Sequence, residues 1–247
     1  MNDRILVDGE YRTPDECRAF FARQRLDDHQ QRVLALIEGD VVVDVGCYTG
    51  FFVAEATRRY PGKTISGIDY FDDNIRLARL LEPDLAARFQ RMSVYRTEFA
   101  DDSIDCITMM DVIEHLEGCA AAVKELNRVI KPGGHLIVTT PNPFSWHQMM
   151  LFFAFEMRNS LYALFGRRRR MVTQIYFANV EWNRHIYAWT PDTLLTLLVV
   201  NGFEYVEHHY QRGRNVIERA FLGLFPFLGL TQILKVRKVA HAPAMVI

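Results

Sequence analysis

The 247-residue sequence predicts an α/β protein built on a doubly wound, mostly parallel sheet with helices on both faces. Three observations carry that expectation. Short β-branched runs alternate with helical patterns from about residue 41 to residue 140. The first run ends in a glycine turn that leads straight into a helix pattern. The alternation is interrupted once, by an aromatic-rich stretch over residues 144–182, and then resumes.

Residues 13–38 read as helical, with Asp15 and Glu16 near the start and Gly39-Asp40 at the end. Val41-Val42-Val43-Asp44-Val45 is the β-branched run of a strand buried on both faces. A turn from Gly46 to Gly50 follows, then a helix over 51–60 closed by Pro61-Gly62. Residues 64–68 form the second strand, ending at Asp69. A helix over 73–81, a short strand over 89–94, a strand over 104–110 and a helix over 119–130 come next. Lys131-Pro132-Gly133-Gly134 is a stop signal before a strand over 135–140. After the interruption, Thr190 caps a helix over 190–201, with Pro191 in its first turn and Gly202 behind it. The final two strands lie over 203–208 and 233–239.

Apolar residues make up 49% of the chain and charged residues 24%, an ordinary globular balance. A net charge of −1 gives no basic field, so no nucleic-acid partner is expected. The four cysteines show no Cys-x-x-Cys pair and no zinc spacing. They read as reduced thiols of a cytoplasmic protein. The polar N-terminus is not followed by a signal-like apolar core. No stretch reaches the roughly 20 apolar residues of a membrane span. The expected location is therefore cytoplasmic, with membrane-peripheral contact as the variant.

Ligands of such sheets sit at the carboxyl ends of the strands. That singles out Asp44 to Gly50, Asp69, Ser93, Met110 to His115 and Thr140 to Asn142. Glycines let a backbone approach a ligand closely and adopt positive φ. Asp69 is placed to accept hydrogen bonds from ribose hydroxyls. Gly46-x-x-x-Gly50 is not the Gly-x-Gly-x-x-Gly fingerprint, and Tyr48 would crowd a pyrophosphate. A nicotinamide cofactor is thereby disfavoured.

Asp44-Val45-Gly46-Cys47-Tyr48-Thr49-Gly50 resembles the first motif of class I S-adenosylmethionine-dependent methyltransferases, and Gly67-Ile68-Asp69-Tyr70 resembles the second. Phe99-Ala100-Asp101-Asp102-Ser103-Ile104-Asp105 is similar to their entry into the fourth strand. Val129-Ile130-Lys131-Pro132-Gly133-Gly134-His135-Leu136 is similar to their turn before the fifth. The resemblance covers residues 35–142 in the right order. It implies a Rossmann-like, seven-stranded sheet and S-adenosylmethionine as cofactor. The implied cofactor-binding set is Asp44, Gly46, Cys47, Tyr48, Gly50, Asp69, Tyr70, Ser93, Val94, Met110 and Asp111. Within it the glycine loop holds the methionine and ribose, Asp69 the ribose hydroxyls, and Tyr70 flanks the adenine. Ser93 stands where such families often carry an Asp, so adenine recognition falls to backbone groups near Ser93 and Val94. The whole chain reads as one domain, with an N-terminal helical segment (13–38), a cofactor-binding core (40–142), a lid-like insertion before the sixth strand (143–189) and the C-terminal part of the sheet (190–247).

Asp111-Val112-Ile113-Glu114-His115 begins where the fourth strand ends. If it opens a helix, Asp111, Glu114 and His115 share one face. Methyl transfer depends on alignment and on removal of the acceptor's proton, which makes His115 the candidate general base beside Glu114 and Asp111. The same residues with His185 resemble the metal motifs of small-RNA 2′-O-methyltransferases, and Glu114-His115 also resembles ubiquinone-pathway O-methyltransferases. Asp111 replaces the first Glu of the metal motif, and acidic residues also suit a helix start. A divalent metal is therefore not expected, with Asp111, Glu114, His115 and His185 as its candidate ligands.

The function expected is methyl transfer to a small-molecule or lipid- or sugar-linked acceptor, most readily at oxygen. A metal-dependent RNA ribose methyltransferase, a non-catalytic cofactor-binding partner and a nicotinamide oxidoreductase stand as alternatives. The insertion reads first as a lid, then as a membrane contact through 144–170, then as a subunit interface. Arg167 to Arg170 beside it suit a phosphorylated substrate. The oligomeric state is left open. His208 and His209 alternate faces and read as structural.

Overall fold

The computed structural model describes residues 4–164, 186–213 and 215–239. The chain enters through a hairpin that the sequence reading did not anticipate, β1 (Ile5–Val7) and β2 (Glu10–Arg12). Asp8 and Gly9 turn it, both at positive φ, the conformation a tight two-residue hairpin turn demands. The helix expected over 13–38 is two helices, α1 (Pro14–Phe21) and α2 (Asp28–Ala35). Thr13 with Glu16 and Asp27 with Gln30 each form a capping box, so a second helix start lies inside the segment.

Seven strands make the main sheet. They are β3 (Val41–Val45), β4 (Thr64–Asp69), β5 (Phe89–Arg91), β6 (Ile104–Met110), β7 (Ile130–Pro141), β8 (Phe203–Tyr210) and β9 (Thr231–Lys238). Their spatial order is β5-β4-β3-β6-β7-β9-β8. The first five are parallel, and β9 runs antiparallel between β7 and β8. Between the strands lie α3 (Phe51–Arg59), α4 (Asp72–Leu81), α5 (Cys119–Val129), α6 (Trp146–Leu164), α7 (Pro191–Val200) and α8 (Val216–Leu224).

Two expectations need correction. The strand expected over 89–94 pairs only to Arg91, because Ser93 to Arg96 closes into a tight turn. Lys131-Pro132-Gly133-Gly134 does not precede the fifth strand of the sheet but lies within β7. Pairing shifts there from Ile104 with Ile130 to Cys106 with His135, and Gly133 takes φ +80°. A further helix that the sequence does not announce, α8, follows β8 and is capped by Asn215, whose side chain accepts from the Glu218 amide.

Alternate residues of each strand enter separate cores. Val42, Cys106, Ile137 and Ile233 pack with α2, α3 and α4. Val43, Ile107, Val138 and Leu234 pack with α5 and α7. The strand order reverses between β4–β3 and β3–β6, so the loops leaving β3 and β6 part company there. Open α/β sheets bind ligands in the crevice this creates.

Candidate active site

The loop after β3 lies hard against its neighbours. Gly46 takes φ +80°, and a Cβ on it would meet Val112 Cγ2 at 2.4 Å. A Cβ on Gly67 of β4 would meet Cys47 Cβ at 2.6 Å. The amides of Gly46 and Cys47 both donate to the Ile68 carbonyl, at 2.8 and 3.1 Å. Gly50 takes φ +73° and caps α3. Tyr48 sits at φ +44°, a strained region for a residue with a side chain. Its amide donates to Asp69 Oδ2 (3.1 Å) and its hydroxyl to Asp8 Oδ1 (3.3 Å), while its ring meets Phe21 edge-on. Gln24 Nε2 donates to Thr49 Oγ1 (3.1 Å). The hairpin and the segment between α1 and α2 thus reach the loop.

Asp69, at the end of β4, accepts from the amides of Tyr48 and Phe71 and from Asn74 Nδ2, all at 3.0–3.1 Å. Burial pushes its carboxyl up, and those three donors oppose the shift. Asp44 is fully buried in β3, where burial pushes its carboxyl up to about 7. Thr108 Oγ1 donates to it at 2.7 Å and opposes this, while the charge of Asp69 adds to it. Tyr70 is exposed, edge-on to Phe71, and Arg91 Nε donates to its carbonyl (3.1 Å). Cys47 and Val94 are buried in the core, and Met110 packs half-buried against it. The Ser93 hydroxyl accepts from the Tyr95 amide (3.3 Å).

The segment after β6 is not the helix start that would set Asp111, Glu114 and His115 on one face. Only Ile113–His115 turn, as a single 3₁₀ turn, and Asp111 stands before it at φ +53°. Consecutive threonines of β7 draw the two carboxylates apart. Thr139 Oγ1 donates to Asp111 Oδ1 (3.0 Å), and Thr140 Oγ1 donates to Glu114 Oε2 (3.1 Å). Adjacent strand residues face opposite sides. Asp111 therefore turns to the α2 face and Glu114 to the α5 and α7 face.

Asp111 meets a residue that sequence reasoning missed. His29 of α2 is buried, with Nε2 3.4 Å from Asp111 Oδ2 and Nδ1 2.9 Å from Asp27 Oδ1. Burial alone would favour the neutral ring, but the two carboxylates outweigh it and hold the pKa up to about 10. Glu114 is 1% exposed, and its Oε1 has no hydrogen-bond partner among the described residues. Burial first, and the Asp111 charge second, push its carboxyl well above the ordinary range. Its main-chain carbonyl accepts from the amides of Ile186 and Tyr187. His115 is half-buried at the end of the turn.

Among the described residues no three His, Cys, Asp or Glu side chains gather to hold a metal ion. His185 and Arg167 to Arg170 lie outside the described residues. The separation of Asp111 and Glu114 onto opposite faces is a poor start for shared coordination.

A family model described as a methyltransferase domain matches residues 18–208. The ubiquinone biosynthesis O-methyltransferase of Alkalilimnicola ehrlichii is 32% identical over 118 residues, which cover 47% of each chain. That of Hahella chejuensis is 33% identical over 189 residues, covering 73% of this chain and 72% of its own. The chain spans about half the length of the first curated relatives it matches. A solved S-adenosylmethionine-dependent methyltransferase from Thermotoga maritima, described as a possible histamine N-methyltransferase, shares the fold at 17% identity. Its TM-score is 0.60, over 91% of this chain and 95% of that one.

Glu114 sets a pH dependence. Its folded pKa lies above its unfolded one, so the native state keeps a proton that the unfolded chain releases. The stability this contributes is present in acid and is lost as pH rises from about 4.3, the free carboxyl value, through the folded value. Glu114→Gln removes the titration. The melting temperature of the variant relative to wild type should climb steadily between about pH 5 and pH 8. A difference independent of pH would contradict the buried, unpaired carboxyl.

Proposed function

The chain belongs to the methyltransferase domain family, and on that footing we propose that it is a class I S-adenosylmethionine-dependent methyltransferase that transfers the methyl group to an oxygen of a small-molecule acceptor. The observation that carries this reading is the tight loop after β3 joined to Asp69 through the Tyr48 amide. In the proposal Asp69 takes the ribose hydroxyls and the loop from Asp44 to Gly50 takes the methionine portion. Tyr70 flanks the adenine, whose edge meets backbone near Ser93 and Val94. The cofactor, when bound, supplies a methyl group activated on a sulfonium.

The chain's own work is alignment and proton removal. His115 is proposed as the base for the acceptor hydroxyl. Glu114, held toward its protonated form, suits donation of a hydrogen bond better than acceptance of a proton. Oxygen is favoured because the curated relatives are named O-methyltransferases. The RNA alternative is disfavoured by the net charge of −1.

A second reading concerns where the acceptor is met. α6 exposes Met149, Met150, Phe152, Phe153, Met157 and Leu161, and Trp146 Nε1 donates to Glu218 of α8, which exposes Val216 and Ile217. Among the described residues no helix is long and apolar enough to cross a membrane. Such a surface favours shallow contact with a lipid interface.

Incubation with methyl-labelled S-adenosylmethionine and a panel of hydroxylated and amine acceptors tests the reaction. Label is expected on hydroxyl oxygen, and His115→Ala should lower kcat by about 10²-fold with cofactor affinity kept. Label on nitrogen alone would overturn the oxygen assignment, and an unchanged kcat would remove His115 from the chemistry. For the lipid contact, wild type should sediment with phosphatidylglycerol vesicles and a Phe152→Glu, Phe153→Glu variant should stay in solution. Equal sedimentation of the two, or none by either, would dismiss it.

A further inference from the structure

Among the described residues, four buried polar atoms on the α5 and α7 side of the sheet have no hydrogen-bond partner: Glu114 Oε1, Trp189 Nε1, His208 Nε2 and Gln232 Oε1. Their residues are neighbours. Thr140 binds Glu114 and is the register partner of Gln232. Gln232 Nε2 donates to the Trp189 carbonyl at 2.6 Å. Tyr210, the other register partner of Gln232, packs its ring on His208 at 4.5 Å. The Tyr187 ring lies 5.3 Å from that of Trp189. β9 is antiparallel, so its first residues lie at the same edge as the carboxyl ends of β7 and β8. That is the edge where ligands of such sheets sit.

A buried polar atom left unpaired costs about 1–3 kcal/mol, so several together at a ligand-binding edge ask for an occupant. The indole N–H of Trp189 needs an acceptor, and the amide oxygen of Gln232 needs a donor. An ammonium only donates and would leave the indole unpaired. A carboxylate or phosphate only accepts and would leave the amide oxygen unpaired. Among the described residues, the neighbouring charge acting on Glu114 is that of Asp111, and no cation acts on it. A hydroxyl both donates and accepts. We infer that Trp189, Gln232, His208 and Glu114 form the pocket for a hydroxyl of an uncharged acceptor, whose apolar body lies between the Tyr187–Trp189 and His208–Tyr210 rings. This rests on the methyltransferase reading above and adds the acceptor's chemical class and the residues that select it.

Three near-isosteric probes test it: benzyl alcohol, benzylamine and benzoate, which are neutral, cationic and anionic at pH 7. Each is titrated into the ¹⁵N-labelled full chain while the indole N–H signals of the three tryptophans are followed, with Trp189 identified by Trp189→Phe. Benzyl alcohol should move the Trp189 signal and bind at least fivefold more tightly than either charged probe. Gln232→Leu, and independently Trp189→Phe read by ligand-observed saturation transfer, should each weaken the alcohol at least fivefold. A Trp189 signal unmoved by the alcohol means that water alone fills the pocket, and equal binding of all three probes means that it does not select; either overturns the inference. S-adenosylmethionine added to the same sample separates the two levels. If it shifts the Gly46 and Gly50 amides while the alcohol does nothing, only the pocket fails. If those amides stay still, the cofactor reading fails.

Discussion

The hydrogen bond from the Tyr48 amide to the Asp69 carboxylate is the contact on which the site's geometry turns. It joins the loop after the first strand of the main sheet to the end of the second. Tyr48 reaches it only by taking a positive φ, which costs about 1–2 kcal/mol for a residue with a Cβ. A charge-assisted hydrogen bond contributes about 1.5–3 kcal/mol, enough to offset that strain. Gly46 and Gly67 supply the clearance that lets the loop lie down, since a Cβ at either would collide with Val112 or Cys47. The Tyr48 side chain is drawn to Asp8 and Phe21, so the N-terminal hairpin and first helix become part of the loop's support.

The opposite end of the crevice is organised by β7. Two successive threonines there send Asp111 and Glu114 to opposite faces of the sheet. Asp111 thereby joins His29 and Asp27 in a charged group that fastens the second helix over the crevice. Glu114 enters a buried environment with no counter-ion acting on it among the described residues, and its chemistry follows from burial. Two carboxylates three residues apart in sequence thus acquire different neighbours.

Much of this was legible in the sequence where the signal was local. The β-branched run at Val41, the glycine spacing after it and Asp69 at the end of the next strand each declare themselves within a few residues. The parallel order and both helical layers follow from their alternation. For the 111–115 segment the sequence leaves a helix start only as a condition, because the threonine contacts that shape the segment come from residues 139 and 140. His29 carried only an Asp-x-His signal, and its partner Asp111 lies 82 positions away in the numbering of the chain. Trp189, His208 and Gln232 are unremarkable residues one by one. They stand out only when antiparallel pairing brings the start of β9 beside the ends of β7 and β8.

The central claim is that the loop and Asp69 form a site for S-adenosylmethionine. Calorimetric titration of that cofactor into wild type and Asp69→Ala, with NAD as the control ligand, tests it most directly. The account predicts binding by wild type, loss of at least tenfold in affinity in the variant and no binding of NAD. Folded wild-type protein that ignores S-adenosylmethionine, or an Asp69→Ala variant that binds it equally well, would contradict the account.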